Sequence, residues 1–465
     1  MSMSPKTTVR AGRAGSKAQR DAATFLSQQA REHDVKFIRI WFTDILGFLK
    51  SFAITIDSLE KALEEGVGVD GSSIESFARA EEHDMIAVCD PKTFQVLPWR
   101  PRENAVARMF ADIHHMDGRP FEGDPRHCLK RQLKRAAQLG YTFYVGPEIE
   151  FFYFKSSERP EPADQGGYFD LAPLDTGSDM RRQTVLTLEE LGIPVHSSHH
   201  EVAPGQHEID LKHMDALTMA DSVMTYRLTA KEIAQQHGVH ATFMPKPIEG
   251  QDGSGMHVHQ SLFHASSKGG GERNAFYDPR DKHQMSPIAK HYVAGLLRHA
   301  REMAIVTNQW VNSYKRLVTG YEAPTHILWG QKNRSALVRI PMNKAGRPEN
   351  ARAEFRSPDP ACNPYLAFSV MLAAGLQGIQ KKYPLPKSTE GDVVSWSREE
   401  KAMAGVEELP TSLGEAIEVA KKSKFLRDTL GPQIFHSLIE NKEIEWEKYR
   451  HHISQLELKT GLSTL

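Results

Sequence analysis

Tyr141-Thr142-Phe143-Tyr144-Val145-Gly146-Pro147-Glu148-Ile149-Glu150-Phe151-Phe152 is the stretch on which the reading of this chain turns. Its aromatic and β-branched residues predict a strand. Side chains alternate faces along a strand, so Glu148 and Glu150 share a face, their Cα atoms about 6.5–7 Å apart. Two ionised carboxylates that close, beside Phe151 and Phe152, repel each other and lose hydration. They need a counter-charge, which a divalent cation, an Arg or Lys partner, or a solvated sheet face supplies.

The flanks extend this reading. Pro125 to Leu139 reads as a helix leading into the strand, and Lys155 to Gly167 as a Pro- and charge-rich surface loop returning through Gly166-Gly167-Tyr168-Phe169. In His199-His200-Glu201-Val202-Ala203-Pro204-Gly205-Gln206-His207-Glu208-Ile209 a Pro-Gly turn stands between two glutamates. That pattern predicts a hairpin bringing Glu201 and Glu208 back towards each other. TFMPKP (242–247) precedes Asp252-Gly253-Ser254-Gly255-Met256-His257-Val258-His259, where the two histidines share a strand face. Glu354 and Arg356 share one in Ala353-Glu354-Phe355-Arg356 by the same rule. Each alone also fits a cross-strand salt bridge, a core histidine or a turn. Together, Glu148, Glu150, Glu201, Glu208, Glu354 and His257 form an oxygen-rich set that suits Mg²⁺ or Mn²⁺ better than zinc.

Arginines supply the complementary half. Asn312-Ser313-Tyr314-Lys315-Arg316 and Asn333-Arg334-Ser335-Ala336-Leu337-Val338-Arg339 precede Arg352 and Arg356. Arg is the forked donor for carboxylate and phosphate, although any single one also reads as an ordinary surface ion pair. Metals with Arg clamps describe a phosphoryl-transfer site. No Gly-rich phosphate loop of either common pattern occurs, so a nucleotide would be held by metals and Arg.

At 465 residues the chain is too long for one ordinary core, so two domains are expected. A basic tail (1–20) lacks the apolar core of a secretory signal and reads as disordered. Residues 21–117 form short strands around one or two helices, an α+β domain, and 118–465 a larger one. Helices are expected at Asp21–His33, Asp179–Leu191, Met214–Gln236, Ile288–Thr307 and Asn363–Ile379, the last apolar nearly all round and so buried. Ser412-Leu413-Gly414-Glu415 reads as a capping box, Glu443–Ile453 as helix, and His264–Asn274 as a flexible hairpin tip. A net charge of −1 gives no electrostatic case for nucleic acid or an anionic membrane. The three cysteines form no CxxC pair, which points to a reducing, cytoplasmic setting, and no apolar run is long enough to span a bilayer.

GPEIEFF, HHEVAPGQHEI, TFMPKP with DGSGMHVHQSL, NSYKRLVTGYEAP, NRSALVRIP, AEFRSPDPACNPY and, in the first domain, DGSSIESF together closely resemble class I glutamine synthetase. The resemblance covers the chain from the early strands to the C-terminus. It implies a small N-terminal β-grasp domain and a larger α+β catalytic domain with a curved antiparallel sheet flanked by helices. It also implies a homo-dodecamer of two hexameric rings, with active sites between adjacent subunits. By motif, Glu150, Glu201 and Glu208 would hold one of two Mg²⁺ or Mn²⁺ ions, and Glu148, His257 and Glu354 the other. Arg316, Arg356 and Gly253 would bind the substrate carboxylate. Arg334, Arg339 and Arg352 would face the ATP phosphates, with His259 and Ser261 beside the nucleotide. Asp70, Ser73, Tyr168, Glu201 and Glu322 correspond to the ammonium pocket. Read alone, Val69-Asp70-Gly71-Ser72-Ser73 is a plain Asp-Gly turn.

Several positions depart from the family pattern. Thr319 stands where Pro is usual before Gly320, Asp252 where Asn is usual, and Trp310 and Trp329 are bulky. The Thr319 and tryptophan departures motivate an alternative, a γ-glutamyl ligase for an organic amine or polyamine. A non-catalytic structural or regulatory family member is a third reading, opposed by the retention of every metal carboxylate.

Overall fold

The computed structural model describes residues 17–76, 83–264, 272–343, 346–391, 393–403 and 405–465. They fall into two units, residues 17–42, 49–72 and 83–121 forming the first, and the described residues of 43–48, 73–76 and 122–465 the second. Residues 1–16 of the expected tail and 265–271 of the expected hairpin tip lie outside the described residues. The first helix already begins at Lys17, inside the stretch expected as tail.

Unit 1 runs α1 (Lys17–Glu32), β1 (Val35–Thr43), β2 (Leu49–Thr55), α2 (Leu59–Glu65), β3 (Val67–Asp70), β4 (Asp84–Cys89), β5 (Gln95–Val96) and β6 (Ala105–His115). The sheet order is β2-β1-β6-β4-β3, with β5 also on β6. β1 and β6 run parallel, Ile38 facing Ala107 and Ile40 facing Met109, all without solvent exposure. Trp41 and Phe110 meet edge to face at 5.6 Å, and the Arg108 guanidinium covers both rings.

Unit 2 opens with α3 (Pro125–Gln138), β7 (Tyr141–Phe154), α4 (Ser178–Glu190), β8 (Val195–His200), β9 (Gln206–Leu211), β10 (Met214–Asp215) and α5 (Ala216–Gln236). Next come β11 (His240–Thr242), β12 (Met256–His264), β13 (Arg273–Asn274), α6 (Pro287–Arg298), α7 (Ala300–Thr307), α8 (Ser313–Arg316), β14 (His326–Gly330), β15 (Ala336–Arg339) and β16 (Ala353–Phe355). The chain ends through α9 (Pro364–Lys381), α10 (Arg398–Met403), β17 (Glu407–Glu408), α11 (Leu413–Lys421), α12 (Lys424–Leu430), α13 (Pro432–Arg450) and α14 (Gln455–Gly461). The main sheet path is β17-β14-β15-β16-β12-β7-β9-β8. The pairs along it whose registers are resolved are antiparallel, apart from parallel β14 and β15.

The expected strand at 141–152 is therefore the spine of the larger sheet, pairing with β9, β10, β11 and β12. Against the sheet sits a helical layer organised on α9, which is buried as its all-round apolar sequence predicts. Asn363 caps it, accepting from the Tyr365 and Leu366 amides, and Pro364 takes the first turn, where no amide partner is needed. α6 crosses α9 on glycine: a Cβ on Gly295 would lie 2.1 Å from the Ala374 carbonyl oxygen, and one on Gly378 2.1 Å from that of His291. A buried ion pair, Arg126 to Asp221 at 2.9 Å, takes a third partner from α9 in the Tyr365 hydroxyl at 2.6 Å. It ties α3, α5 and α9 together.

Three helix expectations shift for local reasons. Met214 and Asp215 pair with Val145 and Tyr144, so the helix expected from Met214 starts at Ala216, capped by the Asp215 carboxylate. The helix expected over 288–307 breaks at His299 (φ −100°, ψ 7°). At Ser412 only half of a capping box forms. Its hydroxyl accepts from the Glu415 amide, but the Glu415 carboxylate turns to Thr411 and Arg301. Full reciprocal boxes form at Ser454 with Glu457 and at Ser397 with Glu400.

Candidate active site

Strand register, not sequence proximity, builds the site. On β7, Glu148 faces His257 of β12, and Glu150 faces Glu208 of β9. Glu354 of β16 lies opposite His259 of β12 and Arg339 of β15. Aligned faces of neighbouring strands thus bring acids, imidazoles and guanidinia to a cavity of about 530 Å³ within unit 2. Its walls include Glu148, Glu150, Tyr168, Glu201, Glu208, Gly253, His257, Glu322, Arg334, Arg339 and Arg356.

At one end, Glu148, His257 and Glu354 each offer a ligand atom, all within 4.8 Å of one another. This is the trio expected from the motifs. Glu148 contacts His259 Nε2 at 2.6 Å and His257 Nδ1 at 3.4 Å. Glu354 is fully buried between Arg339 and Arg356, each at 2.5 Å. Burial opposes ionisation of Glu148, but His259 and His257 outweigh it and hold the carboxyl below the usual range. For Glu354, burial is likewise outweighed by His259, Arg356, His257 and Arg339. Burial and then Arg356 push His257 down, favouring the neutral imidazole that a metal requires.

At the other end the gathered trio is His199, Glu201 and Glu208. Glu150, expected in that set, instead accepts from the Gly255 amide at 2.9 Å and from Gln206 Nε2 at 3.0 Å. His199 Nε2 stands 2.9 Å from Glu201 Oε1. Burial, then the Glu201 charge, raise Glu150 to about 8, although Arg316, the Gly255 amide and Arg356 pull the other way. Burial, Asp210 and Glu150 raise Glu208 well above the carboxylate range. At this end burial and mutual repulsion oppose ionisation of Glu150 and Glu208.

That donor set fits hard divalent cations, with oxygen donors dominant and one imidazole at each end. Glu150, raised to about 8, would give up a proton to act as a ligand, and burial opposes the charge on Glu208 in the same direction. Mn²⁺ binding is therefore expected to release protons, and its apparent affinity to rise with pH up to about 8. Calorimetric titration in two buffers of different ionisation enthalpy reads this directly; identical heats after correction would show the two carboxyls already ionised.

The other motif residues fall in three places. Arg334 pairs with Glu322 at 2.9 Å over the cavity, and the Glu322 amide donates to Asp252 Oδ1 at 3.2 Å. Arg352 Nε donates to His259 Nδ1 at 3.1 Å, and Ser261 is buried further along β12. Arg316 is buried, its guanidinium donating to the carbonyls of Ser357, Pro358 and Arg356. Asp70 and Ser73 are not among the cavity's lining residues. In unit 1, the exposed Asp70 accepts from the Ser72 amide at 2.9 Å, its hydroxyl at 2.7 Å and the His83 amide at 3.3 Å. The bulky tryptophans do not line the cavity either. Trp310 donates its indole N–H to Ala361 O beneath the Lys442 ammonium, and Trp329 donates to Pro386 O.

A family model for the glutamine synthetase β-grasp domain matches residues 34–116, and one for the glutamine synthetase catalytic domain matches 122–460. The chain belongs to the glutamine synthetase family. It is 52% identical to a glutamine synthetase of Mycolicibacterium smegmatis, over 94% of this chain and 98% of that one. Identity to a Methanosarcina mazei glutamine synthetase is 49%, over 94% and 97%. A solved structure titled as a GmaS/ADP complex superposes with a TM-score of 0.84 at 32% identity, covering 94% of this chain and 99% of that one. The chain is thus a ligase of glutamine synthesis, in a family that uses ATP and divalent metals. Its first unit is the β-grasp part, its second the catalytic part. Among the described residues no helix is long and apolar enough to cross a membrane.

Two features of this glutamine synthetase fold escape the motifs. His199 joins Glu201 and Glu208, and the clue was the same alternation that paired Glu148 with Glu150. Behind that trio lies a buried network of Asp164, Asp175, Arg181, His200 and His207. Arg181 donates to Asp175 at 2.8 Å and contacts His207 Nδ1 at 2.7 Å. That guanidinium already supplies a cation between the two, so the network reads as an ionic lock and not as a further metal centre. Asp164 lies in the loop expected at the surface, yet its side chain has no solvent exposure.

Proposed function

We propose that this enzyme joins ammonia to the γ-carboxylate of L-glutamate, using ATP and passing through γ-glutamyl phosphate. The observation that carries this reading is the pair of carboxylate–imidazole groups facing one cavity walled by Arg334, Arg339 and Arg356. Its ions are Mg²⁺ or Mn²⁺, two per site, held by Glu148, His257 and Glu354 and by Glu201 and Glu208 with Glu150 or His199. When bound, they neutralise phosphate charge and orient the nucleotide.

Arg316, Arg356 and Gly253 hold glutamate. A γ-carboxylate oxygen attacks the γ-phosphorus of ATP, the bond to ADP breaks, and the acyl phosphate forms. Arg334, Arg339 and Arg352 stabilise the charge on the transferring group, with His259 and Ser261 beside the nucleotide. Ammonium enters among Asp70, Ser73, Tyr168, Glu201 and Glu322, a set that favours a cation. Asp70 takes one proton, and the freed ammonia attacks the acyl carbon as phosphate leaves. Glu322, on the segment Leu317 to Pro324, shields the acyl phosphate from water and accepts the further proton. We place the enzyme in the cytoplasm, as a homo-dodecamer of two hexameric rings whose small domains supply Asp70 to adjacent subunits.

The test is product formation from ATP and glutamate with ammonium, set against putrescine, ethylamine or ethanolamine. Glutamine, ADP and phosphate in equal amounts are expected with ammonium. Turnover with the organic amines alone would replace ammonia by an amine acceptor, the reading that Thr319 in the flap favours. No turnover with any amine would leave a non-catalytic protein.

A further inference from the structure

The catalytic carboxylates Glu201 and Glu208 sit on the two limbs of one turn, and a single buried oxygen holds both limbs. Asp164 Oδ1 accepts from the Gly205 amide at 2.7 Å, from His200 Nε2 at 2.9 Å and from the Gly166 amide at 3.2 Å. His200 Nδ1 lies 2.7 Å from the carbonyl oxygen of Glu201. A carbonyl only accepts and an ionised carboxylate only accepts, so both ring nitrogens carry hydrogen and the imidazole bridges as a cation. Asp164 thereby reaches the Glu201 backbone on one limb and Gly205, three residues before Glu208, on the other.

The turn has no slack of its own. The Glu201 amide donates to Gln206 O at 2.8 Å, and the Gln206 amide to Ala203 O at 2.9 Å. Gly205 is left-handed (φ +71°), and a Cβ there would come within 2.8 Å of Tyr153 O. A Cβ on Gly166 would lie 2.6 Å from His200 Nε2. The loop that carries Asp164 continues into Tyr168 and Phe169, whose rings lie 5.6 and 4.7 Å from that of His199. The Phe169 amide donates to His200 O at 3.1 Å, a second stitch between this loop and β8. On its far side the lock is anchored to α4 through Arg181, away from the cavity.

We propose that Asp164 is a positioning residue for the cation site, setting Glu201 and Glu208 at the separation at which they share one ion and holding the Tyr168 wall against them. The role rests on the ligase reading above, but its readout is metal affinity, which does not require turnover.

Asp164→Asn keeps the shape and removes the charge that holds His200. Mn²⁺ titration of the full-length protein, followed by the electron paramagnetic resonance of free Mn²⁺, is expected to show affinity at one of two sites weakened by about 10- to 100-fold, the size typical of partners that orient metal ligands. Asp175→Asn disturbs the same buried lock but reaches the turn only indirectly, through Arg181 and the His207 imidazole, and leaves the bonds of Asp164 to Gly205 and His200 in place. It is expected to lower the melting temperature at least as much, with Mn²⁺ affinity within about 2-fold of wild type, because the ligands keep their orientation. Gly166→Ala drives His200 off Asp164 and serves if Asp164→Asn does not fold; the same loss of affinity is expected. Wild-type affinity in whichever Asp164 or Gly166 variant folds would overturn the proposal, as would an equal loss in Asp175→Asn, which marks a purely structural lock. A wild-type enzyme that binds Mn²⁺ tightly but forms no glutamine would sink the ligase reading alone.

Discussion

Replacing Glu354 by alanine is expected to lower turnover by at least about 10²–10³-fold, the range for removing one group that stabilises transition-state charge. It is also expected to destabilise the fold by about 3–5 kcal/mol, since removing one partner leaves buried charge uncompensated. Both effects follow from one carboxylate that ends a ligand trio and separates Arg339 from Arg356. Glu354→Gln divides the two. The amide keeps the volume and one acceptor between the guanidinia, so most of the stability should return. It is a poor ligand, so one of two Mn²⁺ equivalents should still be lost. Urea denaturation and Mn²⁺ titration of both variants provide the measurement. Two tight Mn²⁺ equivalents in Glu354→Ala would remove this residue from the metal set.

Asp70→Ala is expected to bind ATP normally and to lose ammonia-dependent turnover by about 10²–10⁴-fold, the usual contribution of a positioned base. The geometry offers a competing explanation, because the same carboxylate accepts two hydrogen bonds from Ser72 in its own turn and one from the His83 amide across from it. Asp70→Asn decides between them. An asparagine oxygen still accepts from the Ser72 amide but takes no proton from ammonium. Recovery of turnover in Asp70→Asn would reduce Asp70 to a turn former; continued loss with normal ATP affinity is the expected result.

Much of the site was legible because one rule, the two-residue period of a strand, applied several times over. Glu148 with Glu150, His257 with His259, and Glu354 with Arg356 share faces by their spacing alone, and strand register joins the pairs. His199 obeys the same rule with Glu201, but the Pro-Gly turn that begins three residues after Glu201 marks the hairpin and not the histidine. Asp164 was invisible for a different reason. Its surroundings, Glu161-Pro162-Ala163-Asp164-Gln165-Gly166-Gly167, have the composition of a solvated loop, and only the fold shows that the loop folds inward onto His200 and His207. The helices followed their apolar periods, whereas their ends depended on partners no local pattern reveals. Glu415 abandons its capping role for Arg301, a residue far away in sequence. Trp310 and Trp329, bulky beside the motifs, show the same dependence on distant partners: their indole N–H groups donate to the Ala361 and Pro386 carbonyls.

The glycine-on-glycine crossing of α6 and α9 bears on how this enzyme can change. Gly295 and Gly378 admit not even a methyl group against the facing main chain, so neither helix can shift to absorb a larger neighbour. The peptide around Gly320 is open, an added Cβ there meeting nothing within 4 Å, but a φ of +93° strains any other residue at Gly320 itself, so room for change lies at Thr319 and Tyr321 beside it. A mutational library aimed at new amines should be spent there, with the helical crossing left untouched.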